Sequence, residues 1–419
     1  MSDLLAARSQ MAVSLAFHII FAVIGIALPV LMVIAERRWQ RTGDPVYLDL
    51  AKRWARGAAI LFAVGAVSGT VLSFELGLLW PGFMELAGPL IGVPFSLEGF
   101  AFFTEAIFLG VYLYGWDKVP PRAHLLAGVL IAASGAASGI FVVIVNAWMN
   151  TPVGFTLVNG KLTDIDPLAA MGTPAAFPQA LHMTLAAYAA TGMAVAGIHA
   201  FLLLKGRTTA FNRRALTIGL LVGAPAAVLQ PFSGDIAGRF IARRQPVKLA
   251  AMEALYETQA GAPLTIGPSP GIKIPLALSL LAFGDPHAVV QGLDQVPRDE
   301  WPNVTLVHLS FDVMVALGTY LAMVGLWAGW VALRKRDLSQ RRRLLWALVI
   351  AAPCGFIATE AGWMVTELGR QPWTIYGILK TADAVTPMPG LIVPFTTITL
   401  VYIALAVLVT RLLYRQIVQ

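Results

Sequence analysis

Glu360 and Glu367 stand seven residues apart in an apolar run that ends in Gly369-Arg370-Gln371-Pro372-Trp373. A carboxylate inside a membrane-length segment costs about 3 kcal/mol or more at the bilayer centre, so such residues mark pathways or ligand sites. Trp363 and Arg370 flank the pair. An interfacial Glu367–Arg370 salt bridge is the plainer account of the outer carboxylate. Glu98 and Glu105 repeat the spacing in LEGFAFFTEA. Seven residues are nearly two helical turns, so both point the same way, about 10 Å apart along the axis. Two carboxylates on one stripe suit a proton relay or an ion site, or else serve as hydrogen-bond anchors between helices.

His18 and His182 each open an apolar segment. Neutral imidazole is a good ligand for haem iron, and a helix-end histidine bonded to a carbonyl is the bland alternative. Met314 lies in HLSFDVMVALG. A His–Met pair makes a six-coordinate electron-transfer haem with no open position. Taken alone, Met314 reads as packing. His308, six residues earlier, is a rival ligand, and the sequence does not choose between them. His199 and His124 read as structural, His287 takes no role, and Asn146 and Trp148 end a span, with the Trp as an interface anchor.

The elements that must position these residues follow from composition. The 419 residues are 58% hydrophobic and only 13% charged, with a mean hydropathy of +0.73; soluble domains carry roughly 25% charged residues. The expected fold is an all-α membrane protein. Nine apolar segments are long enough to cross a bilayer, at about 11–35, 56–80, 95–116, 123–147, 177–204, 215–235, 303–333, 343–365 and 391–415. No internal repeat is visible, and residues 1–419 form one domain. The net charge of +7 is no nucleic-acid signal, because the basic residues cluster in short loops. The single cysteine, Cys354, excludes an internal disulfide framework and any thiolate metal cluster. The first apolar run is long and its Arg37-Arg38 cluster follows it, unlike a cleavable signal peptide.

Lys and Arg fill the odd-numbered connections: Arg37 to Arg56, Lys118 and Arg122, Lys205 to Arg214, and Arg334 to Arg343. The second connection has none, and the fourth only Lys161. The N-terminus is therefore expected outside and the C-terminus in the cytoplasm. Residues 236–302 form a long outer loop with a Pro/Gly-rich stretch near 262–275. Within it VKLAAMEALYET reads as a short amphipathic helix, with Lys248 and Glu253 about 140° apart. Such a pair could serve as an anchor and an acid–base group at a binding site; a solvated helix needs neither. With this topology His18, Glu98, His182 and Glu367 all fall near the outer face, with Met314 slightly deeper. A shared depth is expected of side chains around a common set of cofactors.

SLAFHIIF, LEGFAFFTEAIFLGVYLYGWD, VNAWMNTPVGF, ALHMTLAAY, VKLAAMEALYET, HLSFDVMVALG and EAGWMVTELGRQPW, in this order, resemble subunit I of the cytochrome bd-type quinol oxidases over nearly the whole chain. The resemblance implies oxidation of quinol (ubiquinol or menaquinol) outside, reduction of dioxygen to water with protons from the cytoplasm, and a location in the bacterial inner membrane. It implies three haems: a low-spin haem b on His182 and Met314, and a high-spin haem b plus a haem d, or a further haem b, on His18 and Glu367. Which of those two holds which haem stays open. Glu98 would lie on the distal side of the His18 haem and Glu105 on a proton path to it. Trp363 and Arg370 would be an aromatic and a propionate partner. Lys248 and Glu253 match the two charged residues of the quinol loop. A second subunit is implied, with room for a small single-span one.

Three departures stand out. Asp312 replaces an arginine carried by better-known members two residues before the methionine. The Glu98–Glu105 spacing is one residue shorter than in some members. No long insertion follows the quinol loop. These features resemble the short-loop, cyanide-insensitive branch. The rival from another class is a proton-coupled carrier without cofactor, which paired intramembrane glutamates would suit. A haem-bearing electron-transfer anchor would need only His182 and one partner.

Overall fold

The computed structural model describes residues 1–268 and 271–418. Among them nine helices are long and apolar enough to span a membrane. They are α1 (Asp3–Thr42), α2 (Pro45–Leu79), α3 (Pro81–Tyr114), α4 (Pro121–Asn150), α6 (Ala176–Leu204), α7 (Ala210–Arg244), α10 (Val304–Leu333), α11 (Arg342–Leu368) and α13 (Ile392–Val418). Short helices α5 (Pro167–Met171), α8 (Pro246–Met252), α9 (Ala277–Phe283) and α12 (Thr381–Ala384) lie in the connections, with four two-stranded ladders. Helix starts carry their own signals. Pro45, Pro81 and Pro121 occupy the first turn, where a missing N–H costs nothing, and Asp44, Thr209 and Asn303 cap free N–H groups.

Two groups of helices make the bundle. Helices α1 to α4 pack together, as do α6, α7, α10 and α11, and α1 joins the groups through α4 and α6. Small residues set the closest approaches. A Cβ on Gly192 would stand 2.5 Å from the Gly223 backbone, and one on Gly355 2.4 Å from Ala190. Helices in lipid associate through such packing, because lipid offers no hydrophobic drive between them.

One end of the bundle carries the short basic connections. The other carries the long ones, at 151–175, 245–303 and 369–391. The long loop starts later than the expected 236, because α7 continues unbroken to Arg244 despite Asp235, Arg239 and Arg243. The Arg239–Asp235 pair, one turn apart at 2.9 Å, lets that polar turn stay helical. The Pro/Gly-rich stretch contains a ladder of Leu264–Ile266 with Ile272–Ile274.

Candidate functional site

Both candidate histidines are held in the same way. His18 Nδ1 lies 2.9 Å from Ser68 Oγ, and that hydroxyl donates to the Val64 carbonyl. His182 Nδ1 lies 2.9 Å from Ser233 Oγ, which donates to the Gln230 carbonyl. Each serine has spent its proton, so it accepts from Nδ1–H. The tautomer this selects leaves Nε2 as the lone-pair nitrogen, the form a metal takes. A glycine follows each serine. A Cβ on Gly69 would stand 3.0 Å from His18 Cε1, and one on Gly234 3.5 Å from His182 Cε1. The serines were missed in the sequence reading; the signal was the repeated Ser-Gly dipeptide on a neighbouring helix. At His182 the Gln230 amide nitrogen also sits 3.1 Å from Nε2.

The rival to Met314 is removed by its partners. His308 Nδ1 is 2.6 Å from the Met252 carbonyl and Nε2 3.0 Å from the Gly267 carbonyl. With both ring nitrogens on acceptors, His308 keeps no lone pair for iron. Met314 Sδ lies over Gly362, 3.0 Å from where a Cβ would be, beside Trp363, which packs with Ile19, Val23 and Ala187.

Glu367 is half-buried and fully engaged. Arg370 Nη2 donates to Oε2 at 2.7 Å, and Asn146 Nδ2 donates to Oε1. The interfacial salt bridge therefore exists. Arg370 is only 3% exposed, yet its Nε and Nη1 have no partner. Two buried, unsatisfied N–H vectors beside a carboxylate call for a further anion. A haem propionate fits that description.

From Glu367 a polar chain runs outward. Asn150 Nδ2 donates to Asn146 Oδ1 at 3.0 Å, and Lys248 Nζ donates to Asn150 Oδ1. Gly369 makes room: a Cβ there would stand 2.9 Å from Lys248 Cγ. Helix α8 is not a solvated amphipathic helix, since Lys248 through Met252 are all buried, and it ends at Met252 with Glu253 as its cap. Burial, then the Arg370 charge, pushes the Lys248 ammonium down to about 7, against the pull of Glu367. Glu253 points the other way, as the 140° offset predicts. Its carboxylate accepts from Thr265 N at 3.4 Å and faces His308 and Asp312. Burial raises it to about 7; the Thr265 N–H and His308 oppose that, and Asp312 adds to it. Asp312 has partners of its own: its Oδ2 accepts from Gly267 N at 2.8 Å and lies 3.6 Å from His308 Nε2.

Glu98 accepts from Ser138 Oγ at 3.2 Å. Glu105 is buried, with its carboxyl 3.3 Å from where a Cβ on Gly135 would be. The expected common depth does not hold. Along α4, Asn146 meets Glu367 while Ser138 meets Glu98, eight residues or about 12 Å deeper. The span ends had been set by hydropathy, whereas α1 and α3 extend well past their apolar stretches. Among the described residues no three of His, Cys, Asp and Glu are grouped so as to hold a metal ion by themselves. The donors stand singly, as axial donors to separate macrocycles would.

Fold and donor set together define an integral membrane redox protein with residues suited to haem. The sequence profile of the cytochrome bd terminal oxidase subunit I family matches residues 6–419, and the chain belongs to that family. It is 39% identical to a putative cytochrome bd menaquinol oxidase subunit I of Bacillus subtilis (strain 168), over 99% of this chain and 96% of the relative. It is 27% identical to the cytochrome bd-II ubiquinol oxidase subunit 1 of Escherichia coli (strain K12), over 90% and 88%. The solved bd oxidase of Geobacillus thermodenitrificans superposes with a TM-score of 0.93 at 39% identity, covering 99% of this chain and 98% of that one. The cofactor-free carrier has no support.

Proposed function

We propose that, in this haem-bearing quinol oxidase subunit of the bacterial cytoplasmic membrane, His182 and Met314 hold a low-spin haem b. His18 and Glu367 hold the two high-spin haems, one haem b and the other haem d or a further haem b. Haem, when bound at these residues, would supply electron transfer and the chemistry of dioxygen reduction. Ser68 and Ser233 fix the imidazole tautomers. Arg370 pairs with Glu367 and offers two N–H groups to a propionate.

Quinol docks between Lys248 and the loop at 253–267, at the outer face. Lys248, buried and bonded to Asn150, donates to one quinol oxygen. Glu253 takes a proton from the quinol as electrons leave, and releases it outside. Glu105 and Glu98 pass protons from the cytoplasmic side towards His18. Subunit II completes the complex and shields the spans. The relatives act, by name, on menaquinol or ubiquinol, and quinol of that class is the substrate here. Asp312 and the compact loop support the reading that the chain is of the short-loop branch.

The observation that carries this reading is the buried chain Arg370–Glu367–Asn146–Asn150–Lys248. It ties a candidate iron ligand to the proposed quinol loop through direct side-chain hydrogen bonds. The test is a reduced-minus-oxidised spectrum of the purified complex with pyridine-haemochrome extraction, repeated on Met314→Leu. Three haems, with the low-spin band lost in the variant, support the assignment. A red-shifted chlorin band identifies haem d; b-type haem alone identifies the branch without it. An unchanged low-spin band in Met314→Leu overturns the ligand assignment.

A further inference from the structure

Arg213 on α7 and Arg336 just beyond α10 are far apart in sequence, yet both line one cavity of about 300 Å³ at the basic end of the bundle. Its floor is Leu216, buried in the core that α6, α7, α10 and α11 share, and one wall is Leu338, which packs on the same core. Packed side chains therefore fix its shape. The turn that carries Arg336 is built at a cost. The Arg336 N–H returns to the Val331 carbonyl at 3.2 Å and the Lys335 N–H to the Ala332 carbonyl at 2.9 Å, paired bonds of a helix end that usually employs glycine. Here Lys335 takes the left-handed position, at φ 51°, where glycine would be unstrained. The residue that would relieve the strain is replaced by a third cation between Arg334 and Arg336. Those two guanidiniums lie 5.5 and 6.0 Å from the ring centroid of Trp330, and an exposed Trp at the end of a span is an interface anchor.

The polar atoms around the cavity are unevenly spent. Thr217 Oγ1 donates to the Arg213 carbonyl at 2.8 Å, and Ser339 Oγ donates to Asp337 Oδ1 at 2.7 Å. Both hydroxyls are left with lone pairs alone. The Ser339 hydroxyl, then its N–H and the Arg213 charge, hold the Asp337 carboxyl below its ordinary range against the opposing effect of burial. The arginines are the reverse case. Arg214, next along the chain, is paired with Asp44 at 2.6 Å and lies over the Tyr47 ring. Arg213 reaches the Thr208 carbonyl at 3.3 Å, and among the described residues neither it nor Arg336 is in a salt bridge. Guanidiniums with N–H groups to spare suit phosphate oxygens. The carboxylate and hydroxyl oxygens beside them suit hydroxyl donors. A phosphate ester that carries free hydroxyls supplies both sets. The site also lies where α7 and α10 leave the membrane. Leu221, one turn further in from Thr217, and Leu333, beside Ala332, are exposed, as side chains against acyl chains are.

We infer that this cavity binds the headgroup of an anionic glycerophospholipid whose phosphate is esterified to a polyol. Arg213 and Arg336 hold the phosphate, and Thr217, Ser339 and Asp337 accept from the polyol hydroxyls. Basic pockets between spans are a recurrent setting for such heads. The lipid bridges α7 and α10, the helices that carry Ser233 and Met314 and that are joined by the long loop at the opposite end. A choline head is excluded by the same groups, since it brings a cation to two arginines and no hydroxyl to the acceptors.

The experiment strips the purified complex of lipid in detergent and titrates it with phosphatidylglycerol, phosphatidylcholine or inorganic phosphate, counting bound lipid by native mass spectrometry. The parent is compared with Arg213→Gln/Arg336→Gln and with Thr217→Phe, which fills the cavity without changing charge. Thr217 is exposed, so this variant covers the case in which the double one does not fold. Arg37→Gln/Arg38→Gln removes the same charge from exposed positions at the same end. Expected is a phosphatidylglycerol bound about 30-fold more weakly without the two cavity arginines, weakened also by Thr217→Phe, and unaffected by the Arg37/Arg38 change. Equal weakening in both charge variants overturns the inference in favour of a diffuse basic surface. Unchanged binding in the cavity variants overturns it, as does phosphatidylcholine that binds as tightly. Displacement of the lipid by millimolar inorganic phosphate overturns it by making the cavity a site for a soluble anion.

Discussion

At the scale of single residues, the site works by denying side chains their usual solvation. Glu253 is buried against His308 and Asp312 and titrates near 7. Below that pH it holds its proton and cannot accept one from quinol; above it the carboxylate is free. Quinol oxidation should therefore fall as pH drops through about 7. In Glu253→Gln that acid limb should vanish and the rate should be about 100-fold lower throughout. A variant that keeps the parent's rate and limb would remove Glu253 from the role of base. Ser233 makes a different contribution, through the tautomer of His182. Ser233→Ala should lower haem affinity at that ligand about tenfold or more, seen as loss of the low-spin band on dilution in detergent. Retention equal to the parent would make the serine incidental. These residues were unevenly legible. Glu367 and Arg370 stood out because charge is rare at the end of an apolar run, whereas Lys248 and Glu253, in a long loop, were picked out by the family resemblance. Ser68, Ser233, Asn146 and Asn150 did not, because membrane helices use such residues throughout for packing.

At the scale of elements, the loop between α7 and α10 is held by polar contacts to α10. Asp312 accepts the Gly267 N–H, and His308 ties the carbonyls of Met252 and Gly267. Asp312, which stands where better-known members carry an arginine, tethers the proposed quinol loop to α10. Asp312→Ala should raise the KM for quinol several-fold, since a lost charged hydrogen bond costs about 2 kcal/mol, with haem content unchanged. An unaltered KM, or a low-spin spectrum that shifts instead, would mean that Asp312 acts on its neighbour Met314 and not on the loop. Helix α8 teaches the same point. Its sequence spacing predicted that Lys248 and Glu253 diverge, and they do. What spacing could not predict is that both divergent faces are covered, one by Asn150 and Gly369, the other by Thr265 and His308.

At the scale of the whole molecule, the basic connections gather at one end and the long loops at the other, and from this we propose that the loop end faces outside. Cysteines introduced at Gly160 and Gly206, both in open turns, should report this directly. An impermeant thiol reagent on intact cells should label Gly160→Cys and spare Gly206→Cys. The native Cys354 is buried and gives no background. Labelling in the opposite sense would invert the direction of proton flow and overturn the outer quinol site.

The sequence by itself determined that nine apolar helices span a membrane, in what order, and which rare polar residues sit among them. Hydropathy and charge act locally along the chain, so they can be read from it. The family motifs added the expected ligands. Only the tertiary structure decided the rest. It showed that His308 is consumed by carbonyls, that Arg370 keeps two buried N–H groups without partners, and that Glu98 lies about 12 Å below Glu367. It also paired His124, taken as structural in the sequence, with Glu36 across 88 positions. Partner choice and depth depend on how helices pack and how far each extends past its apolar stretch. Those are set by glycine contacts between distant segments, such as Gly192 with Gly223, which no local pattern records.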